Sequence, residues 1–156
     1  MAQFNSLETG NEKLIQVGRR KGLTLVELTV VIVIIGVLAA FAIPRMMRGI
    51  ERSKAAEAFH YGISIQAAQQ RYQALHGTYA DKFYLFDVDG PPPEYFWLPE
   101  ILPGSTGSFE DSWSVTFYRS GASGGYGNYT VTFTDQGYDP VNSTIENFPE
   151  ISPLGD

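Results

Sequence analysis

An α+β fold, one long N-terminal α-helix packed on a small antiparallel β-sheet head, is the architecture that three features of this 156-residue chain predict. The first is the run from Leu23 to Ile43, whose single ionisable member is Glu27. The second is a stretch after Pro44 in which apolar residues return every three or four positions as far as Leu75, the spacing of one helix face. The third is a pair of segments, Trp113 to Arg119 and Tyr129 to Thr134, in which apolar and polar residues alternate. Period two is that of a half-buried strand, and a Gly/Ser loop between two such runs makes a hairpin.

The run from Leu23 to Ile43 has the length and apolarity to cross a bilayer as a helix, at about 1.5 Å per residue over roughly 30 Å of hydrocarbon. A carboxylate inside such a segment is costly and reads by default as functional. Cleavage after Gly22 would create an α-amino group at Leu23, one helical turn below Glu27 and on the same face. Within a chain, or between neighbouring chains, that amine could neutralise the carboxylate.

Lys21-Gly22-Leu23-Thr24-Leu25-Val26-Glu27-Leu28, followed by the apolar run, resembles the prepilin signature of type IV pilins and pseudopilins. The resemblance implies a subunit that polymerises into a filament. A prepilin peptidase would cut between Gly22 and Leu23 and N-methylate Leu23, where the family usually has phenylalanine. Leu23 and Glu27 would then dock adjacent subunits. Gly36 and Pro44 match positions at which family members locally unwind inside the filament. The implied partners are further copies of the chain and related pilins, the peptidase, an inner-membrane assembly platform, and lipid before assembly. The implied location is the inner membrane, single-pass with the N-terminus inside, and then an extracellular pilus.

The segments divide accordingly: a cytoplasmic leader (1–22), a membrane and filament-core helix (23–43), its amphipathic continuation (44–77) and the head (78–156). Arg19-Arg20-Lys21 favours an N-in orientation, although cations also follow the span at Arg45, Arg48, Arg52 and Lys54. An alternative uses the same stretch. Ala40-Phe41-Ala42 fits an ordinary signal-peptidase site, which would release a soluble binding protein beginning at Ile43. Glu27 has no role in a disposable signal, and the apolar run exceeds the roughly 7 to 15 residues of a signal core.

Beyond Pro44 the predicted inward stripe comprises Met47, Ile50, Ala58, Tyr61, Ile65, Ala68, Tyr72 and Leu75, interrupted by Lys54. The outward face carries Arg48, Arg52, Glu57, Gln66 and Gln70. Gly77 is placed to cap the helix C-terminus. In the head, Phe83 to Val88 and Tyr95 to Leu98 read as short strands around Pro91-Pro92-Pro93. From Gln136 onward the chain reads as an irregular tail over the sheet, pinned by Ile145, Phe148 and Ile151.

Composition narrows the function. There is no cysteine, so no disulfide closes the head. Major pseudopilins of type II secretion are similar in this respect and use calcium there, which keeps a pseudopilin as the alternative within the class. After Gly77 two cations face twelve carboxylates, a net charge of −10, which argues against nucleic-acid binding through a basic face. Gly121-Ala-Ser-Gly-Gly125 matches G-x-S-x-G, but both histidines, His60 and His76, precede it, and it falls in a hairpin loop rather than at a strand-to-helix elbow. It reads as a turn, and no catalytic residues are assigned. Asp87-Val-Asp89-Gly90 resembles the opening of a calcium loop without its later ligands. Asp135 and Asp139 are the nearest candidates to complete it, and the turn-forming role of Asp and Gly is the preferred reading. The sequons at Asn128 and Asn142 are read as chance.

Overall fold

The computed structural model describes residues 22–155. They fall into two compact units, the first ending at Val37 and the second beginning at Leu38. The principal element is helix α1, Leu25–His76. Five strands follow: β1 (Phe96–Trp97), β2 (Ile101–Pro103), β3 (Trp113–Ala122), β4 (Gly127–Thr134) and β5 (Gly137–Tyr138). Short 3-10 turns separate some of them. A long apolar helix with a small antiparallel sheet is the predicted α+β class.

In the first unit none of the described residues packs on the helix. The apolar side chains from Leu23 to Val37 are exposed, as expected of a surface whose natural surroundings are lipid or other helices.

In the second unit the C-terminal part of α1 lies on one face of the sheet. All strand pairs are antiparallel: β1 and β2 both pair with β3, β3 with β4, and β4 with β5. The alternation in the two long strands has the predicted sense. Trp113, Val115 and Phe117 of β3 and Tyr129, Val131 and Phe133 of β4 are buried. They meet Ala58, Phe59 and Ile65 of the helix in one core, with Tyr61 packed at its edge. Phe133 sits among Phe59, Phe117 and Tyr138 with ring centroids 5.8 to 6.1 Å apart. Full burial of such side chains stabilises the fold by about 1.5–3 kcal/mol each.

The inward face of α1 includes Ala58, Ile65 and Ala68 of the predicted stripe, all buried, but its centre differs. Its backbone is the series Glu51, Ala55, Ala58, Gly62, Ile65 and Gln69, all buried, with steps of four and three. Ile50 and Leu75 are exposed. Gln66, predicted to face outward, is half-buried, and its side-chain amide donates to the Asp135 carbonyl at 3.1 Å. Counting apolarity found Ala58 and Ile65 but missed Glu51, Gly62 and Gln69, which carry no apolar signal. Gly62 is required there: a Cβ would stand 2.5 Å from the Phe133 ring. Gln69 uses its amide twice, donating to the Ala80 carbonyl and accepting from the Ala80 N–H, both at 2.8 Å. This ties the chain leaving the helix back onto it. Gly77 caps the helix as predicted, with φ of 76° and its N–H donating to the Gln73 carbonyl at 2.8 Å.

Phe83 to Val88 is not a strand. Phe83–Leu85 is a 3-10 turn, because Phe83 and Phe86, three apart, both turn to the core while Tyr84 and Leu85 face solvent. Tyr95 to Leu98 shrinks to the two residues of β1. Strands β2 and β5 were not anticipated, being too short for a period to show. The tail is pinned as expected: Ile145 and Ile151 are buried and Phe148 is packed against the core.

Candidate functional site

The predicted processing and docking residues lie in the first unit. Gly22 and Leu23 precede the helix in exposed, non-helical backbone, so this peptide bond is not locked in helical hydrogen bonding. Thr24 is the N-cap and Glu27 the third helical residue. They form a reciprocal capping box. The Thr24 N–H and hydroxyl donate to Glu27 Oε2 at 2.9 and 2.8 Å, and the Glu27 N–H donates to Thr24 Oγ1 at 3.2 Å. The carboxylate is thereby held toward the start of the helix, beside Leu23. Thr24 escaped the reading of the sequence, although the T-x-x-E spacing was there to be seen.

Beyond this box the helix surface is mainly apolar, the Thr29 hydroxyl being turned back onto the Val26 carbonyl at 2.8 Å. Leu25, Val26 and Phe41 are 78%, 68% and 73% exposed. Within α1 lies a stretch long and apolar enough to cross a membrane, with none of it buried. The prokaryotic N-terminal methylation motif matches residues 18–43, the stretch that holds these features.

The chain carries a prokaryotic N-terminal methylation motif and is similar to type IV pilins.

Curated relatives agree with that placement. The chain is 40% identical over 63 residues to the type IV major pilin protein PilA of Myxococcus xanthus, covering 40% of this chain and 29% of the relative. It is 50% identical over 52 residues to the type IV major fimbrial protein FimA of Dichelobacter nodosus, 32% of each. It is 33% identical over 75 residues to the type IV major pilin protein PilE1 of Neisseria gonorrhoeae, 48% of this chain and 46% of the relative. The match thus spans less than half the length of these pilins. No solved structure matches the chain.

The remaining predicted pilin positions are placed as follows. Gly36 and Pro44 both lie inside α1, which runs through them as helix in the single chain. The leader lies outside the described residues except for Gly22. The four aspartates considered for calcium are not brought together into a cluster. Among the described residues no group of three or more His, Cys, Asp or Glu stands where it could hold a metal ion. Asp139 serves its own loop, accepting from the N–H groups of Val141 and Asn142 and from the Asn142 amide. The Asn142 side chain, followed by the two backbone donors, holds its carboxyl below the usual range against a smaller opposing effect of burial. Asp87 and Asp89 are exposed. The G-x-S-x-G stretch runs from the end of β3 into the β3–β4 connection, where Gly124 and Gly125 adopt positive φ, so it forms the turn expected.

The structure adds one polar centre that the sequence did not reveal. Glu51 is fully buried between helix and hairpin. Its carboxylate accepts from Arg119 Nε at 2.8 Å and Nη2 at 3.2 Å, from the Tyr129 hydroxyl at 2.9 Å and from the Ser123 N–H at 3.0 Å. Burial pushes the Glu51 carboxyl upward, but the Arg119 pair and the other two donors outweigh it and hold it below its usual value. Arg119 also donates to the Ser120 carbonyl at 2.7 Å, where the β3–β4 register shifts. The cluster therefore secures an irregular loop to the helix. Lys54, which seemed to break the apolar stripe, lies beside it, 4.5 Å over the Tyr95 ring.

Proposed function

We propose that this chain is a structural subunit that polymerises into a type IV pilus-like filament after prepilin peptidase cuts between Gly22 and Leu23 and methylates Leu23. The observation that carries the reading is the methylation motif over residues 18–43 coinciding with an exposed apolar stretch, 23–43, whose single carboxylate is Glu27. No lysine or arginine occurs between Lys21 and Arg45, so the amine of Leu23 on a neighbouring subunit is the nearest counter-charge in that layer. A carboxylate in lipid must find a counter-charge or take up a proton. Pairing with the amine satisfies it and sets the axial stagger of subunits. The precursor sits in the inner membrane with its leader inside, and the assembly platform moves it into the filament, where Gly36 and Pro44 are the positions at which the helix unwinds. Catalysis has no part in this role.

The cysteine-free head equally suits a type II secretion pseudopilin, and imaging separates long surface fibres from short periplasmic ones. The processing step is tested by mass spectrometry of the mature N-terminus. N-methylated Leu23 is expected, and Gly22→Val should leave full-length precursor in the membrane. A mature protein beginning at Ile43 would instead mean ordinary signal-peptidase release and would overturn the reading.

A further inference from the structure

The solvent face of the β3–β4 hairpin is built almost entirely of hydroxyls. Ser114 stands opposite Thr134, Thr116 opposite Thr132, and Tyr118 opposite Thr130. At one end β1 sets Trp97 opposite Tyr118. The two rings are 5.6 Å apart and tilted by 49°, and they are 64% and 43% exposed. The loop around Gly104 on one side and the tail around Asp139 and Asn142 on the other enclose a depression of about 730 Å³ over this floor. A smaller one of about 280 Å³ adjoins it and shares Tyr118 and Thr130. Tyr118 lines both, while Trp97 lines neither and flanks them from β1 against the Tyr118 ring.

The hydrogen bonding of the floor gives it a direction. The Thr132 hydroxyl donates to the Asn142 carbonyl at 2.9 Å. The Thr116 hydroxyl, 3.1 Å from Thr132 Oγ1, must then be the donor of that pair, which leaves its lone pairs facing the depression. Thr134 donates likewise to the Gly137 carbonyl at 3.3 Å and already accepts from the Gln136 N–H at 3.2 Å, which leaves it one lone pair. The hydroxyls of Ser114 and Tyr118 make no hydrogen bond among the described residues. The surface thus offers acceptor oxygens on Thr116 and Thr134 beside the hydroxyls of Ser114 and Tyr118, which can donate or accept.

Charge selects further. Two aspartates and no lysine or arginine line the larger depression, which disfavours phosphate, sulfate and carboxylated sugars. In the smaller one the Arg119 guanidinium is already held by Glu51 and the Ser120 carbonyl. An apolar partner would strand the floor hydroxyls without hydrogen bonds. A neutral sugar chain meets every requirement: its hydroxyls donate to the floor, and the C–H face of a ring lies on the exposed aromatics.

We propose that this face binds a neutral, hexose-rich glycan, with Trp97 and Tyr118 as the stacking platform and Thr116 and Thr134 as acceptors for the sugar hydroxyls. The inference is independent of the filament reading, since none of these residues belongs to the 23–43 segment.

The test uses the full chain in a detergent without a sugar headgroup. It is titrated calorimetrically with a panel of unsubstituted hexose oligosaccharides of three to six rings, and with sulfated and sialylated analogues. Saturable binding to one or more neutral members is expected, with the anionic analogues weaker. Trp97→Ala should weaken binding by roughly tenfold, Thr116→Val by several-fold, and Trp97→Phe should retain most of it. The unfolding midpoint of Trp97→Ala should stay unchanged, since this side chain is mostly exposed. Absence of saturable binding across the panel would overturn the proposal, as would tighter binding of the anionic analogues or an affinity within twofold for Trp97→Ala. It would also fall if these substitutions changed the oligomeric state and left sugar binding alone, because the face would then be occupied by a second copy.

Discussion

Arg119→Met removes one half of the buried ion pair while keeping much of the volume of the arginine stem. The Glu51 carboxylate, with none of its surface exposed, would lose two hydrogen bonds and its counter-charge. It would keep only the Tyr129 hydroxyl and the Ser123 N–H. Breaking a buried pair from one side costs about 3–5 kcal/mol, whereas replacing both charges by apolar groups is often close to neutral. The double variant Glu51→Leu/Arg119→Met still strands the Tyr129 hydroxyl, at about 1–3 kcal/mol, so it should be more stable than Arg119→Met alone. The assay is urea unfolding of the full chain in detergent micelles, followed by the fluorescence of Trp113, which is fully buried in the core. The same pair predicts a pH dependence. The Glu51 carboxyl is held below its ordinary value of 4.5 in the folded state, so its contribution is complete above that value. It is lost as pH falls through the lower folded-state value, and Glu51→Gln should flatten the acid limb. A single variant within about 0.5 kcal/mol of the parent, or a double variant as unstable as the sum of its singles, would refute the reasoning.

Two further outcomes follow from geometry. Gly62→Ala would drive a methyl to 2.5 Å from the Phe133 ring, which is itself enclosed by other aromatics. The overpacking, about 1–3 kcal/mol, should exceed the gain of up to about 1 kcal/mol in helix propensity. Gly49→Ala has nothing within 4 Å and should stabilise the monomer, so equal effects at the two glycines would contradict the packing. Calcium should leave the urea midpoint of the head unchanged, because Asp87, Asp89, Asp135 and Asp139 converge on no common point. A large rise abolished by Asp87→Ala or Asp135→Ala would contradict this and favour the pseudopilin alternative.

The parts of the fold that could be read in advance are those in which a single period dominates. The β3 and β4 alternation buried the residues it named, and Gly77 ended the helix where a positive φ was needed. Prediction failed where burial was achieved by polar or small residues. Glu51 and Gln69 occupy core positions because the hairpin and Ala80 supply their hydrogen bonds, and these partners lie far along the chain. Gly62 carries no apolar signal at all, yet the helix approaches Phe133 there. The proposed docking carboxylate stood out in the sequence for the opposite reason: Glu27 stands alone in an apolar run, and its exception is local. Thr24 was equally local, and attention to the charge obscured its cap. The hydroxyl face of the sheet became visible only once strand register placed Thr116 beside Thr132 and Trp97 beside Tyr118.

The central claim is that Glu27 couples subunits through the Leu23 amine, and counting filaments built from Glu27→Gln tests it most directly. Glutamine has nearly the same shape and can still accept from Thr24, so the variant should insert and be cleaved to a Leu23 N-terminus. Without its charge the attraction to the neighbouring amine is lost, and few or no filaments should form. Abundant filaments of normal length from the fully cleaved variant would contradict the account and leave apolar helix packing as the sole driver of assembly.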